Sequence, residues 1–205
     1  MRVKVYNKNI MCVTFNTQKE LTLTMCRPQE FYECDSPKLR NKVFTFEKFL
    51  DHYLDNKGTL GYFDYWSGFN IPGPVLENFF ARFDLSEREK KLYNITRRFG
   101  SEIYYLIATK VNDTSTLKHE LLHAYYYLNH DYKQKVHTVV RHMNPILKKN
   151  ITTRLREFGY TSSVITDEIN AYMATSSLKY LTEDMDLELS RKDIKPFVEL
   201  AKTVL

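Results

Sequence analysis

Two histidines four residues apart, with a glutamate directly after the first, form the stretch of this chain best suited to chemistry: His119-Glu120-Leu121-Leu122-His123. Positions four apart on an α-helix lie one above the other, so both imidazoles can face one ion while Glu120 stands beside it. Zn²⁺ takes neutral imidazole nitrogens at about 2.0–2.1 Å, and a catalytic zinc site uses three protein ligands and keeps a fourth position for water. Water held there falls in pKa toward roughly 7, which lets a nearby carboxylate take its proton. Glu120 is placed for that role. The plainer reading of the same residues is a surface helix with two solvated histidines and an ordinary glutamate.

The flanking residues set the stretch in context. Ile103 to Lys110 is β-branched and aromatic and predicts a strand. Asn112 to Ser115 is a turn and helix-capping cluster. Leu117, Leu121, Ala124 and Leu128 then run an apolar stripe along a helix. This strand, short loop and H-E-x-x-H helix resemble the zincin metallopeptidases. The resemblance implies a zinc-dependent hydrolase of peptide bonds whose strand before the helix is a sheet edge that pairs with an extended substrate.

A third ligand must come from elsewhere. His130 lies seven residues past His123, roughly 10 Å along a continuous helix, too far to share the ion. The metzincin extension fails as well, with Tyr126 where the glycine should stand and Asn129 where the third histidine should stand. Asp167-Glu168-Ile169-Asn170-Ala171-Tyr172-Met173-Ala174 is helix-like, carries acids, and has small residues at 171 and 174 that permit close packing. It resembles the third-ligand helix of the gluzincins, and that resemblance implies a His119, His123, Glu168 zinc site. Asp167 and then Glu183 are the alternatives. Thermolysin-like gluzincins carry an Asp four residues after the ligand Glu to orient a histidine, whereas this chain has Tyr172, so another carboxylate or a carbonyl must do that work.

At 205 residues with 43% hydrophobic content, the chain predicts one domain, 1–205, and the resemblance implies that it is an α+β fold of zincin type. Antiparallel N-terminal strands come first, with 1–42 a candidate β subdomain, and a mostly helical part carries the metallopeptidase core at 101–178. Val3, Val5, Met11, Val13, Phe15, Leu21, Leu23 and Met25 alternate as two or three strands, and 27–42 reads as a connecting loop. Helical spacing follows from Phe46 to Leu54. The ring-rich stretch 60–74 then reads as core, with a pocket wall as the alternative. Pro74 opens a helix, Ser86 to Glu89 is a capping box, and Gly100 is the expected stop of the helix that follows. Past the His helix, Asn144-Pro145 opens another, and Asp193 is preferred over Ser190 as the last cap because Pro196 belongs in a first turn.

No run of 18 apolar residues and no signal-like start is present, so the chain is expected inside the cell, cytoplasmic, with no membrane partner. Cys12, Cys26 and Cys34 match neither a disulfide framework nor a zinc knuckle and read as buried thiols. The formal charge is +5, with the excess in residues 132–156. That stretch reads first as a solvated helix face and second as a nucleic-acid contact.

A donor for the developing oxyanion completes a zinc peptidase, and Tyr172 is the choice among Tyr172, Tyr160, His137, Arg141 and His142. The leading expectation is a zinc metallopeptidase acting on a protein or peptide, with Glu120 and Tyr172 catalytic. The alternatives are a protease resembling the SprT type that acts on DNA-bound proteins, and a non-catalytic scaffold in which zinc only ties two helices.

Overall fold

The computed structural model describes residues 1–58, 61–97 and 104–205, and they cluster into two compact units, Met1–Thr116 and Leu117–Leu205. Together they form a mixed α+β chain with one small sheet and a majority of helix.

In the first unit, β1 (Arg2–Asn7) and β2 (Ile10–Phe15) pair antiparallel, with Val3 opposite Val13 and Val5 opposite Met11. The third expected strand is instead the start of α1 (Gln18–Glu33). Thr17 accepts a hydrogen bond from the Glu20 amide, and Leu21, Thr22, Met25 and Cys26 bury at i, i+1, i+4 and i+5. A short apolar run satisfies both periods, and the cap decides for the helix. The helix also runs through Pro28, so the first part of the expected 27–42 loop, up to Glu33, is helical. Residues 1–42 are therefore not a β subdomain, because the sheet is completed far downstream.

Next come α2 (Phe46–Lys57), capped by Thr45 and closed by Gly58 at φ +65°, α3 (Tyr62–Tyr65), β3 (Gly68–Pro72), α4 (Gly73–Arg82), α5 (Glu87–Thr96) and β4 (Tyr105–Lys110). The sheet order is β1-β2-β4-β3, with β2 and β4 parallel and β3 and β4 antiparallel. The strand before the His helix is thus flanked on both sides, and its hydrogen-bonding groups face β2 and β3. The expectation of a free substrate-pairing edge at this strand is wrong: the edges are β1 and β3. Gly73 is needed where it stands, since an added Cβ would meet the Tyr104 ring at 2.6 Å.

The ring-rich stretch is core, as Tyr62 and Phe69 are buried and Tyr62 meets Phe49 edge-on at 5.1 Å. Phe31, Phe44, Phe79 and Phe83 continue that core under α1 and α4. The expected helix stop at Gly100 and the strand start at Ile103 lie outside the described residues.

The His helix, α6 (Thr114–Leu128), begins in the last residues of the first unit, where Asp113 accepts from the Thr116 amide as its cap. The second unit adds α7 (His130–Arg141), α8 (Pro145–Glu157), α9 (Ile165–Thr175), a π-helical turn at Tyr180–Asp184 and α10 (Arg191–Ala201). Asn144 caps α8, and Leu147, Ile151 and Leu155 bury on its inner face. Their core is shared with Val136, Val140, Ile169, Met173 and Phe197. The cap of α10 is Ser190 rather than Asp193. Asp193 instead reaches back to the Ser190 amide at 2.8 Å, a capping box that outweighs the amide bond forgone at Pro196 deeper in the helix.

One polar contact is buried inside the first unit. Arg27 on α1 donates through Nε to Glu89 Oε1 at 2.8 Å, with its Nη2 on Glu89 Oε2 and on the Asp84 carbonyl. Glu89 also accepts from the Ser86 amide in the capping box of α5, so one carboxylate serves helix and core together. Removing one partner of a buried pair strands the other charge. Arg27→Met should therefore cost about 3–5 kcal/mol in chemical denaturation, and a loss below about 1 kcal/mol would show that Glu89 finds other solvation.

Candidate metal centre

All the groups of this site belong to the second unit. The Nε2 atom of His119 is 3.7 Å from Glu168 Oε2, and that of His123 is 3.5 Å from Glu168 Oε1. One donor atom from each of the three side chains lies within 4.8 Å of the others. Ligands of a tetrahedral zinc with bonds near 2.05 Å sit roughly 3.3 Å apart, so the spacing is close to that of a coordination shell. The structure brings the three side chains together, with Glu168 on the Nε2 side of both imidazoles and Asp167 on the Nδ1 side of His123. Glu183 is an exposed residue of the π-helical turn, 3.7 Å from Lys179 Nζ.

The far nitrogens decide how the rings point. His123 Nδ1 is 2.9 Å from Asp167 Oδ2. His119 Nδ1 is 3.3 Å from Thr175 Oγ1, whose own proton goes to the Ala171 carbonyl at 2.7 Å. A hydroxyl that has spent its proton can only accept, so His119 carries its proton on Nδ1 and turns the Nε2 lone pair toward Glu168. The carboxylate at Asp167 assigns the same tautomer to neutral His123. Histidine ligands of metals are held in this way by a partner on the other ring nitrogen.

Burial and charge fit a cation. The side chains of His123 and Glu168 are 4% and 8% exposed, against 18% for His119, so solvent reaches the donors from the His119 side. Glu168 Oε2 is buried and accepts no hydrogen bond. A buried carboxylate oxygen left in that state is costly without a cation or a proton donor. Two imidazole lone pairs beside it form the nitrogen and oxygen donor set that suits zinc.

Burial pushes the His123 pKa down, but Asp167, Glu168 and Glu120 outweigh it and leave it well above the ordinary 6.5. Burial raises the Asp167 carboxyl, with His123 pulling the other way. Glu120 is itself buried and close enough to act on His123, Tyr160 and Tyr172. Tyr172 stands edge-on to His119 with ring centroids 4.9 Å apart, and its hydroxyl is 3.3 Å from that of Tyr160. Burial first, then Glu168, raises the Tyr172 phenol above its usual value, so it remains a donor at neutral pH.

The other sequence candidates stand apart from this arrangement. His137 bonds the Tyr126 hydroxyl at 3.0 Å, and His142 Nδ1 lies 2.8 Å from the Thr138 carbonyl. In the basic stretch Lys133 sits over the Tyr126 ring and Arg154 pairs with Glu157, while Lys135, Arg141, Lys149 and Arg156 are exposed. Sequence reasoning missed the orienting roles of Asp167 and Thr175 and the partnership of Tyr160 with Tyr172. A signal was present for Thr175: Glu168, Ala171, Tyr172 and Thr175 follow i, i+3, i+4, i+7 and so share one face of α9.

No family model, curated protein or solved structure matches the chain. No helix among the described residues is long and apolar enough to cross a membrane.

Two outcomes follow from this geometry. Asp167→Asn should weaken zinc binding about 10–100-fold while leaving the stoichiometry unchanged, read by competition with a chelator; loss of the ion altogether would make Asp167 a ligand. In the metal-free chain His123 has a raised folded-state pKa. Its charge therefore stabilises the fold fully below the unfolded value near 6.5, and that contribution fades as pH rises through the folded value. Zinc competes with that proton, so the ion's apparent affinity should climb with pH across the same window, with proton release measurable in a weakly buffered titration.

Proposed function

We propose that this chain is a zinc-dependent metallopeptidase with a zincin-like, gluzincin-type centre, in which His119, His123 and Glu168 hold the metal and Glu120 is the general base. The observation that carries the reading is the convergence of two oriented imidazole lone pairs and a hydrogen-bond-starved carboxylate oxygen, with Glu120 buried beside them. A zinc ion bound there would supply Lewis acidity, lowering the pKa of water toward roughly 7 and polarising a carbonyl.

The chain's own groups account for the rest. Glu120 takes the proton of the attacking water and returns it to the amine that leaves, so one carboxylate serves as base and then acid. Asp167 and Thr175 hold the two rings so that neither imidazole turns its N–H toward the reacting groups. The Tyr172 phenol, kept protonated and steadied by Tyr160, is the donor for the developing oxyanion. The substrate is a protein or peptide. Because β4 is paired on both sides, the substrate backbone is not recognised by adding a strand to β4.

Glu120→Gln should keep zinc and lose about 10²–10⁴-fold in turnover of an unfolded protein substrate. Zinc-loaded protein that cleaves no better than this variant, over a broad peptide mixture, would leave the centre as a structural tie only. Tyr172→Phe should lower kcat by about 10²–10³-fold with little change in KM. An unchanged kcat would remove Tyr172 from the reaction without disturbing the role of Glu120.

A further inference from the structure

We propose a second, separate metal site in the first unit, where Cys34, Asp35 and His52 hold a zinc-class divalent cation that ties the end of α1 to the middle of α2. Cys34 Sγ lies 3.8 Å from His52 Nε2 and 3.9 Å from Asp35 Oδ1, and the three donor atoms fall within 4.8 Å of one another. With a Zn–S bond near 2.3 Å and a Zn–N bond near 2.05 Å, tetrahedral ligands would stand about 3.6 Å apart. The observed separations are a few tenths of an ångström from that figure. They are also at the outer limit for hydrogen bonds to sulfur, and a single thiol proton can serve only one of the two neighbours.

The surroundings build the site rather than merely allow it. Cys34 is the C-cap of α1, its amide bonded to the Glu30 carbonyl. Arg40 donates to the carbonyls of Cys34 and Glu33, fixing the turn that presents Cys34 and Asp35 together. Cys34 is buried while Asp35 is exposed, so the ion has an entry side and a dry side. A soft sulfur with an imidazole and a carboxylate favours zinc over calcium or magnesium. Spacing in the sequence could not show this, because His52 arrives from a different helix, 18 residues on.

Cobalt(II) titration of the full chain tests the site. The centre at His119, His123 and Glu168 contains no sulfur, so a thiolate-to-cobalt charge-transfer band in the near ultraviolet reports on a cysteine alone. The expected band saturates by about two cobalt per chain, because the His119 centre takes cobalt as well, or at about one in His123→Ala, and it is displaced by zinc. It should survive His123→Ala, Cys12→Ser and Cys26→Ser, disappear in Cys34→Ser, and need at least roughly tenfold more cobalt in His52→Ala. Far-ultraviolet circular dichroism on each variant separates loss of the site from loss of the fold, and the titration of the unaltered chain needs no variant. Absence of the band in the unaltered chain, or its persistence in Cys34→Ser, overturns the proposal. Because the band is indifferent to His123, the peptidase reading can fail while this one stands.

Discussion

Two imidazoles a helical turn apart can serve one cation only if something outside their own helix turns both rings the same way. Here that constraint is met from α9, by a carboxylate on His123 and by a hydroxyl on His119 whose proton is already committed to the Ala171 carbonyl. Both Nδ1 positions are thereby occupied, so that when the rings are neutral both Nε2 lone pairs face Glu168. Without these two anchors each ring could flip, and one donor would point an N–H at the site in place of a lone pair. Everything else in the second unit serves to hold α9 at that distance: the buried Ile169 and Met173 on its other face, Val136 and Val140 of α7, and Phe197 of α10.

The same helix explains how the site tolerates its concentration of charge. Asp167, Glu168 and Glu120 are brought close to His123 in a place where only a small share of the donor surface meets water. Isolated carboxylates in such a place would be neutralised by protons. Their joint effect on His123 is to make it hold a proton more tightly than usual, and the same field would favour a divalent cation in its place. The tyrosine pair at 160 and 172 lies in that field as well and responds in the same sense, keeping its protons.

The first unit rests on a different economy. Its sheet has only four strands, and the apolar surface is supplied mainly by rings: Phe31, Phe44, Phe49, Tyr62, Phe79 and Phe83 stack edge-on or tilted beneath α1 and α4. Among the described residues its buried charged side chains are Arg27 and Glu89, where a bidentate pair and a helix cap share one carboxylate. The pairing of β4 on both sides removes the route by which an added strand would recognise a substrate there.

The sequence alone determined what depends on local spacing. The i, i+4 histidines with their glutamate, the capping box at Ser86 and the helix start at Asn144-Pro145 were all readable because a helix repeats within a few residues. Glu168 was readable only through resemblance, and its position facing the histidines depends on where two helices far apart in the chain come to lie. Tertiary structure decided the rest. It turned Leu21, Leu23 and Met25 from an alternating strand into a capped helix, and it placed β4 between two neighbours. It gave Asp167 an orienting role where a ligand role had been weighed, and it set His52 against Cys34. The physical reason is the same in each case: hydrogen bonds and burial between segments distant in sequence choose among local patterns that short-range periodicity leaves equivalent.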